Sequence, residues 1–221
     1  MKSLFKLTFL STLILCLGCK AAKLRKDTAT ETIDKLQSGM LLVRLQTSEN
    51  KIKKLRAMGE NERANEAVKE QQETNSNLIK HFNEHFDFCP VYFFHSNDVQ
   101  NIKNNDFAGS IFKKPGEDLK DTPVPNTFYL FGELDNSYQD ELAAANDENQ
   151  RIAGTAGTIA LVVRDKNHFQ IPKPFPFSQA ITGFENRNLR AAVISLNEKL
   201  HNFDIKMERR KLKKKRKALT D

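Results

Sequence analysis

Two periods of apolar positions run along the chain and mark out its elements. Gly39 to Gln46 (GMLLVRLQ) is a short apolar run closed by Ser38-Gly39 and by Thr47-Ser48, a strand signature. Ser48-Glu49 then opens a helix in which Ile52, Leu55 and Met58 recur at helical spacing, and Gly59 ends it. A second helix is predicted over 60–86 with Ala64, Ala67, Val68, Leu78, Ile79 and Phe82 as its apolar positions, which makes 48–86 a helical hairpin. Its middle, Glu70 to Asn77 (EQQETNSN), is polar all round and is expected in solvent.

The most apolar run is Phe86 to His95 (FDFCPVYFFH), and the unbroken stretch Val91 to Phe94 predicts a strand buried on both faces. Ser96-Asn97-Asp98 caps a short helix over 99–104, Ile111-Phe112 starts a brief strand, and the prolines within 113–125 dictate a loop. Further strands are predicted at Thr127 to Leu134 and Thr158 to Arg164, with Asp165-Lys166-Asn167 turning into a weaker one at His168 to Ile171. The acidic, Ala-rich stretch 136–157 reads as a mobile insertion, and Pro172 to Phe177 (PKPFPF) as irregular structure whose rings pack inward or contact a partner. Leu189, Ala192, Val193, Leu196, Leu200 and Phe203 form one stripe, so a docked helix closes the domain. Strands separated by helices predict an α/β or α+β domain with a mixed sheet of four to five strands, packed by the hairpin and the C-terminal helix.

The first residues belong to another class. Lys2 and Lys6 precede an apolar stretch from Leu7 to Leu17, the anatomy of an export signal over 1–18 and too short to span a bilayer. Gly18-Cys19 then offers a small residue before a cysteine, the junction at which a bacterial lipoprotein is cut and acylated; ordinary cleavage near Gly18 to Ala22 is the alternative. Residues 19–37 are polar and read as a tether that turns helical near its end. With Cys16 in the leader and Cys19 at its end, Cys89 is the only thiol of the body, so no internal disulfide supports the fold. These readings place the protein outside the cytoplasm, periplasmic or associated with the outer membrane.

Taken together, Gly39–Gln46, the hairpin, Phe86–Asp98, Thr127–Leu134 and Leu196–Phe203 (LNEKLHNF) resemble an uncharacterised group of exported proteins from Bacteroidota-type bacteria. The resemblance spans most of 39–203. It implies a shared fold and an exported location, and no activity.

The formal net charge of +7 changes meaning once it is divided. Residues 206–221 hold nine Lys and Arg against Glu208 and Asp221, the leader holds Lys2 and Lys6, and the domain between them is close to neutral. The basic tail (Arg209, Arg210, Lys211, Lys213, Lys214, Lys215, Arg216, Lys217) fits attachment to an anionic membrane surface, about 1 kcal/mol for each cation close to it. Ile205, Met207 and Leu212 look too sparse there for an apolar stripe, so the competing reading is a solvated tail. Nucleic acid is a partner only if the chain is not exported.

Catalytic motifs are weak. His81-Phe-Asn-Glu84-His85 has the order of an inverted zinc-peptidase motif, with two imidazoles one turn apart and Glu84 as base. It lacks a third ligand and a chain large enough for a substrate cleft, and both histidines also suit a solvated helix end. Cys89 enters an aromatic strand where burial keeps a thiol inert, and Glu133/Asp135 and Asp140/Glu141 read as solvated faces. The sequence therefore points first to a lipid-anchored envelope module that binds a membrane surface or an envelope protein without catalysis or cofactor. A zinc-dependent envelope hydrolase at His81/Glu84/His85 and a basic-tailed nucleic-acid binder are the alternatives.

Overall fold

The computed structural model describes residues 24–116, 128–137, 158–171 and 173–219. The leader 1–18, Cys19 and nearly all of the 136–157 insertion lie outside them. The elements are α1 (24–38), β1 (Met40–Leu45), α2 (Glu49–Ala57), α3 (Asn61–His85), β2 (Val91–His95), a single 3₁₀ turn (Ser96–Asp98) leading into α4 (Val99–Lys103), β3 (Tyr129–Ser137), β4 (Thr158–Arg164), β5 (Ser178–Ala180) and α5 (Asn186–Ala218).

The fold is α+β, built on a mixed five-stranded sheet in the order β2-β1-β3-β4-β5. β1 pairs in parallel with β2 and β3, while β3–β4 and β4–β5 are antiparallel. A parallel neighbour requires a crossover, and the α2–α3 hairpin supplies the one from β1 to β2. The turn between these helices is a full Schellman cap. Gly59 has φ +78°, its N–H reaches Arg56 O at 3.0 Å, and Glu60 N–H reaches Leu55 O at 3.0 Å. Gly39 serves a different need: a Cβ there would lie 2.1 Å from Phe128 O, so only glycine lets β1 start against that backbone.

Strand parity divides the core in two. Leu41, Val43, Phe93, Leu130, Leu161 and Val163 meet the helices, packing with Leu78 and Phe82 of α3 and with Leu189, Val193, Leu196 and Leu200 of α5. On the other face Met40, Leu42, Tyr92, Phe94, Tyr129 and Phe131 are covered by Val99, Ile102, Phe107 and Ile111. Phe175 and Phe177 of the Pro-Phe loop are buried in the helix-side core, so those two rings pack inward and do not present a surface to a partner.

Four departures from the sequence expectations have physical causes. Residues 24–38 form a docked helix instead of a tether: Ala29, Ile33 and Leu36 sit at helical spacing and are buried. The edge strand is Ser178–Ala180, because β4 offers its free side to that segment, while 168–171 contributes only an isolated bridge between Gln170 and Arg164. The polar middle of α3 is not wholly solvated, since Asn75 is buried and its Nδ2–H donates to Gln46 O at 2.8 Å. Finally, α5 continues without a break through the basic run to Ala218, so no boundary separates a domain from a tail at residue 206.

Candidate functional site

Three groups of side chains could carry chemistry, and their surroundings separate them. The first is His81, Glu84 and His85, on the last turns of α3. Their ligand-capable atoms lie within 4.8 Å of one another, and the two rings stack with centroids 5.9 Å apart. His81 is 2% exposed, which corrects the expectation of a solvated helix end: with Leu78 and Phe82 it occupies the inward face of α3. Its Nε2–H donates to Asn186 Oδ1, and its Nδ1 is buried without a partner among the described residues. His85 Nε2 accepts from Arg190 Nε at 3.1 Å.

Two features of the surroundings oppose a dication here. A dication would displace a guanidinium from one imidazole and stand beside it. The same place is the N-terminal turn of α5, whose helix dipole repels cations. The pair is a joint between α3 and α5.

The second group lies on the sheet face away from the helices. Register puts Arg44 of β1 beside Glu133 of β3, and Glu133 beside β4, where Arg164 projects from the same face. Glu133 is 3% exposed, which overturns its expectation as part of a solvated face. Its Oε1 accepts from His168 Nδ1 at 2.8 Å and lies 3.7 Å from Arg44 Nη1, and its Oε2 lies 3.4 Å from Arg164 Nε. Arg164 also donates to Asp135 Oδ2 at 3.0 Å and to His168 O at 3.1 Å.

His168 has φ +64° and lies flat on Phe131, with centroids 4.5 Å apart. The Asp165 side chain holds the turn that presents it, accepting from Asn167 N and Phe169 N at 2.9 Å each. Burial raises the Glu133 carboxyl, but the His168 hydrogen bond and charge, with the Arg44 and Arg164 guanidiniums, outweigh it and hold the group below the ordinary value. Two guanidiniums face two carboxylates, so the charges balance, while Arg44 Nε and His168 Nε2 are buried without a hydrogen-bond partner among the described residues. It acts as a polar lock on strand register.

The third group is the outer side of α5. The basic run splits by helical phase. Lys211 and Lys214 turn toward α1: Lys211 Nζ is 2.7 Å from both carboxylate oxygens of Asp34 and 2.6 Å from Glu208 Oε1, and Lys214 Nζ is 3.5 Å from Asp27 Oδ1. Asp34, Asp204 and Glu208 have the spacing of a cation site, and the Lys211 ammonium bridges two of them, Asp34 and Glu208. Its carboxylate hydrogen bonds raise the Lys211 pKa, while burial and the neighbouring Glu208 and Asp34 raise that of Asp204.

Lys206, Arg209, Lys213 and Lys215 point outward, exposed, and no carboxylate among the described residues pairs with them. Arg210 lies against Met207, with Nη1 3.9 Å from its sulfur. Arg216 and Lys217 complete the exposed end. Asn202, Ile205, Lys206, Arg209, Arg210 and Lys213 line a shallow groove of about 410 Å³. It adjoins a wider cleft of about 620 Å³, where Lys173, Lys199 and Lys206 surround Pro174, Pro176 and Phe203.

Sequence reasoning counted Lys206 in the basic run and left out Lys173 and Lys199. Lys199 had a signal: Lys199, Lys206 and Lys213 recur every seven residues, which puts them on one side of a helix. Cys89, by contrast, is buried at 7% exposure, and desolvation pushes its thiol up to about 12, the inert state expected.

No protein-family model matches the chain, and neither a curated protein nor a solved structure matches it. Among the described residues no helix is long and apolar enough to cross a membrane. What the arrangement can do chemically is attract anions along α5.

Proposed function

We propose that the protein is an exported envelope module that binds an anionic membrane surface, held by a diacylated Cys19 and by the outer side of α5. The observation that carries this reading is the segregation of charge on α5 beyond Glu198, an exposed acid on its outer side: Asp204 and Glu208 lie on the α1 side, and Lys199, Lys206, Arg209 and Lys213 lie on the other. A fold whose domain is otherwise near neutral has no structural need for this separation. Four outward cations close to a negative leaflet would contribute about 4 kcal/mol.

Placement of the anchor supports the same reading. Residue 24 starts α1, five residues on from Cys19, a reach of at most ~18 Å. One turn further, Asp27 meets Lys214 near the end of α5. An acyl chain on Cys19 and the basic end of the helix would therefore enter one patch of membrane.

Cell fractionation with mass spectrometry of the mature N-terminus tests the proposal. Recovery in the envelope fraction, starting at an acylated Cys19, is the expected result. Intact, unacylated chain among soluble cell contents would sink it and return nucleic acid to consideration.

A further inference from the structure

Three large apolar side chains on α5 face away from the protein. Ile205, Leu212 and Leu219 are 48%, 55% and 79% exposed, while Met207 on the same stretch is 2% exposed and packs inward. Seven residues turn an α-helix through nearly two full turns, so the three fall in one line ~21 Å long on the side opposite the core stripe. Arg209, Lys213 and Arg216 flank this line on one side and Lys215 on the other. Glu208 is the one acid beside it, and Lys211 holds its Oε1 at 2.6 Å.

This pairing of apolar line and cationic flanks selects among anionic partners. A soluble polyanion satisfies the cations but offers nothing to three aliphatic side chains. A bilayer with anionic head groups satisfies both, because the boundary between head groups and acyl chains is apolar on one side and charged on the other. The stretch is far too charged to cross the membrane and is suited to lying along it.

We infer that α5 from Ile205 to its C-cap residue Leu219 lies in the plane of an anionic bilayer, with Ile205, Leu212 and Leu219 inserted to the acyl boundary. The inference rests on the membrane reading above and adds orientation and depth to it. The sheet and α1 then face away from the lipid, and the cleft around Lys199 and Lys206 opens beside the head groups.

The chain contains no Trp, so Leu212→Trp in the full protein, as cells process it, gives one reporter at the centre of the line. Position 212 is exposed, and the substitution leaves the core intact. The protein is mixed with vesicles rich in phosphatidylglycerol, with phosphatidylcholine vesicles, or with inorganic polyphosphate. Expected with the anionic vesicles are co-sedimentation, a blue-shifted emission and quenching by lipids brominated in their acyl chains. Polyphosphate should give no blue shift. In parallel, Ile205→Asp/Leu212→Asp should weaken anionic-vesicle binding about tenfold or more.

Sedimentation without blue shift or quenching would overturn insertion and leave the membrane reading standing. Undiminished binding by the double Asp variant, or an equal blue shift on polyphosphate, would also overturn it. Absence of sedimentation would overturn both readings together.

Discussion

The two halves of α5 have opposite orientations of their apolar side chains. From Asn186 to Phe203 the helix sends Leu189, Ala192, Val193, Leu196, Leu200 and Phe203 into the core, and its other sides are solvated, with Lys199 joining the basic cleft. From Asp204 to Ala218 only Met207 turns inward, and Ile205 and Leu212 turn out among cations. The helix is one continuous element, so backbone propensity does not distinguish the halves. What differs is the partner: the first half has a sheet beneath it, and the second has only α1. The comparison teaches that stability is concentrated in the first half and surface chemistry in the second.

Mutations can break or sharpen this division. The largest effect is expected in the first half, where Leu196→Ala should cost about 3–4 kcal/mol because Leu196 is fully buried and leaves a cavity. Urea unfolding measures it, and lipid preference per folded molecule should stay constant. A comparable loss from Leu212→Ala would erase the division.

Glu133→Gln comes next, at about 3 kcal/mol near neutral pH, since it strips a buried carboxylate from the Arg44 and Arg164 guanidiniums. The pH dependence follows from the lowered carboxyl pKa. The contribution is full above the unfolded carboxylate value and is lost as pH falls through the lower folded value. The stability gap between wild type and Glu133→Gln should therefore be wide at neutral pH and narrow in acid. A gap that widens in acid would contradict the assigned cluster.

A smaller effect is expected where α1 meets the second half. Asp34→Asn removes a half-exposed partner of Lys211 and should cost about 0.5 kcal/mol, read by thermal unfolding at low and high salt. Smallest of all, Cys89→Ser need not alter any surface property, and thiol reagents should label wild-type Cys89 only after unfolding.

Much of this fold is legible in the sequence because strand and helix periods are strong where one face is buried. β1, β2 and β4 follow from short apolar runs closed by turn residues, and the hairpin and the core stripe of α5 from helical spacing. α1 was hidden because Ala29, Ile33 and Leu36 are only three apolar positions in a charged stretch, and their burial depends on helices far along the chain. β5 carries no apolar alternation at all: Ser178–Ala180 is a strand because β4 needs a partner.

The polar cluster illustrates a different limit. Parity alone places Glu133 on the face of Phe131, but its burial depends on Arg44 and Arg164 being neighbours, which requires the strand order. The basic surface was legible as charge and not as geometry. Lys211 and Lys214 belong to the α1 contact, and Lys173 and Lys199 join from outside the run.

The central claim is that the outward cations of α5 recognise an anionic membrane. The most direct test compares wild type with Lys206→Gln/Arg209→Gln/Lys213→Gln in flotation assays on phosphatidylglycerol-rich and phosphatidylcholine vesicles. The account predicts a strong preference of wild type for the anionic vesicles, falling by about a hundredfold in the triple variant, with unchanged unfolding. An equal preference in both proteins, or none in wild type at low salt, would contradict it.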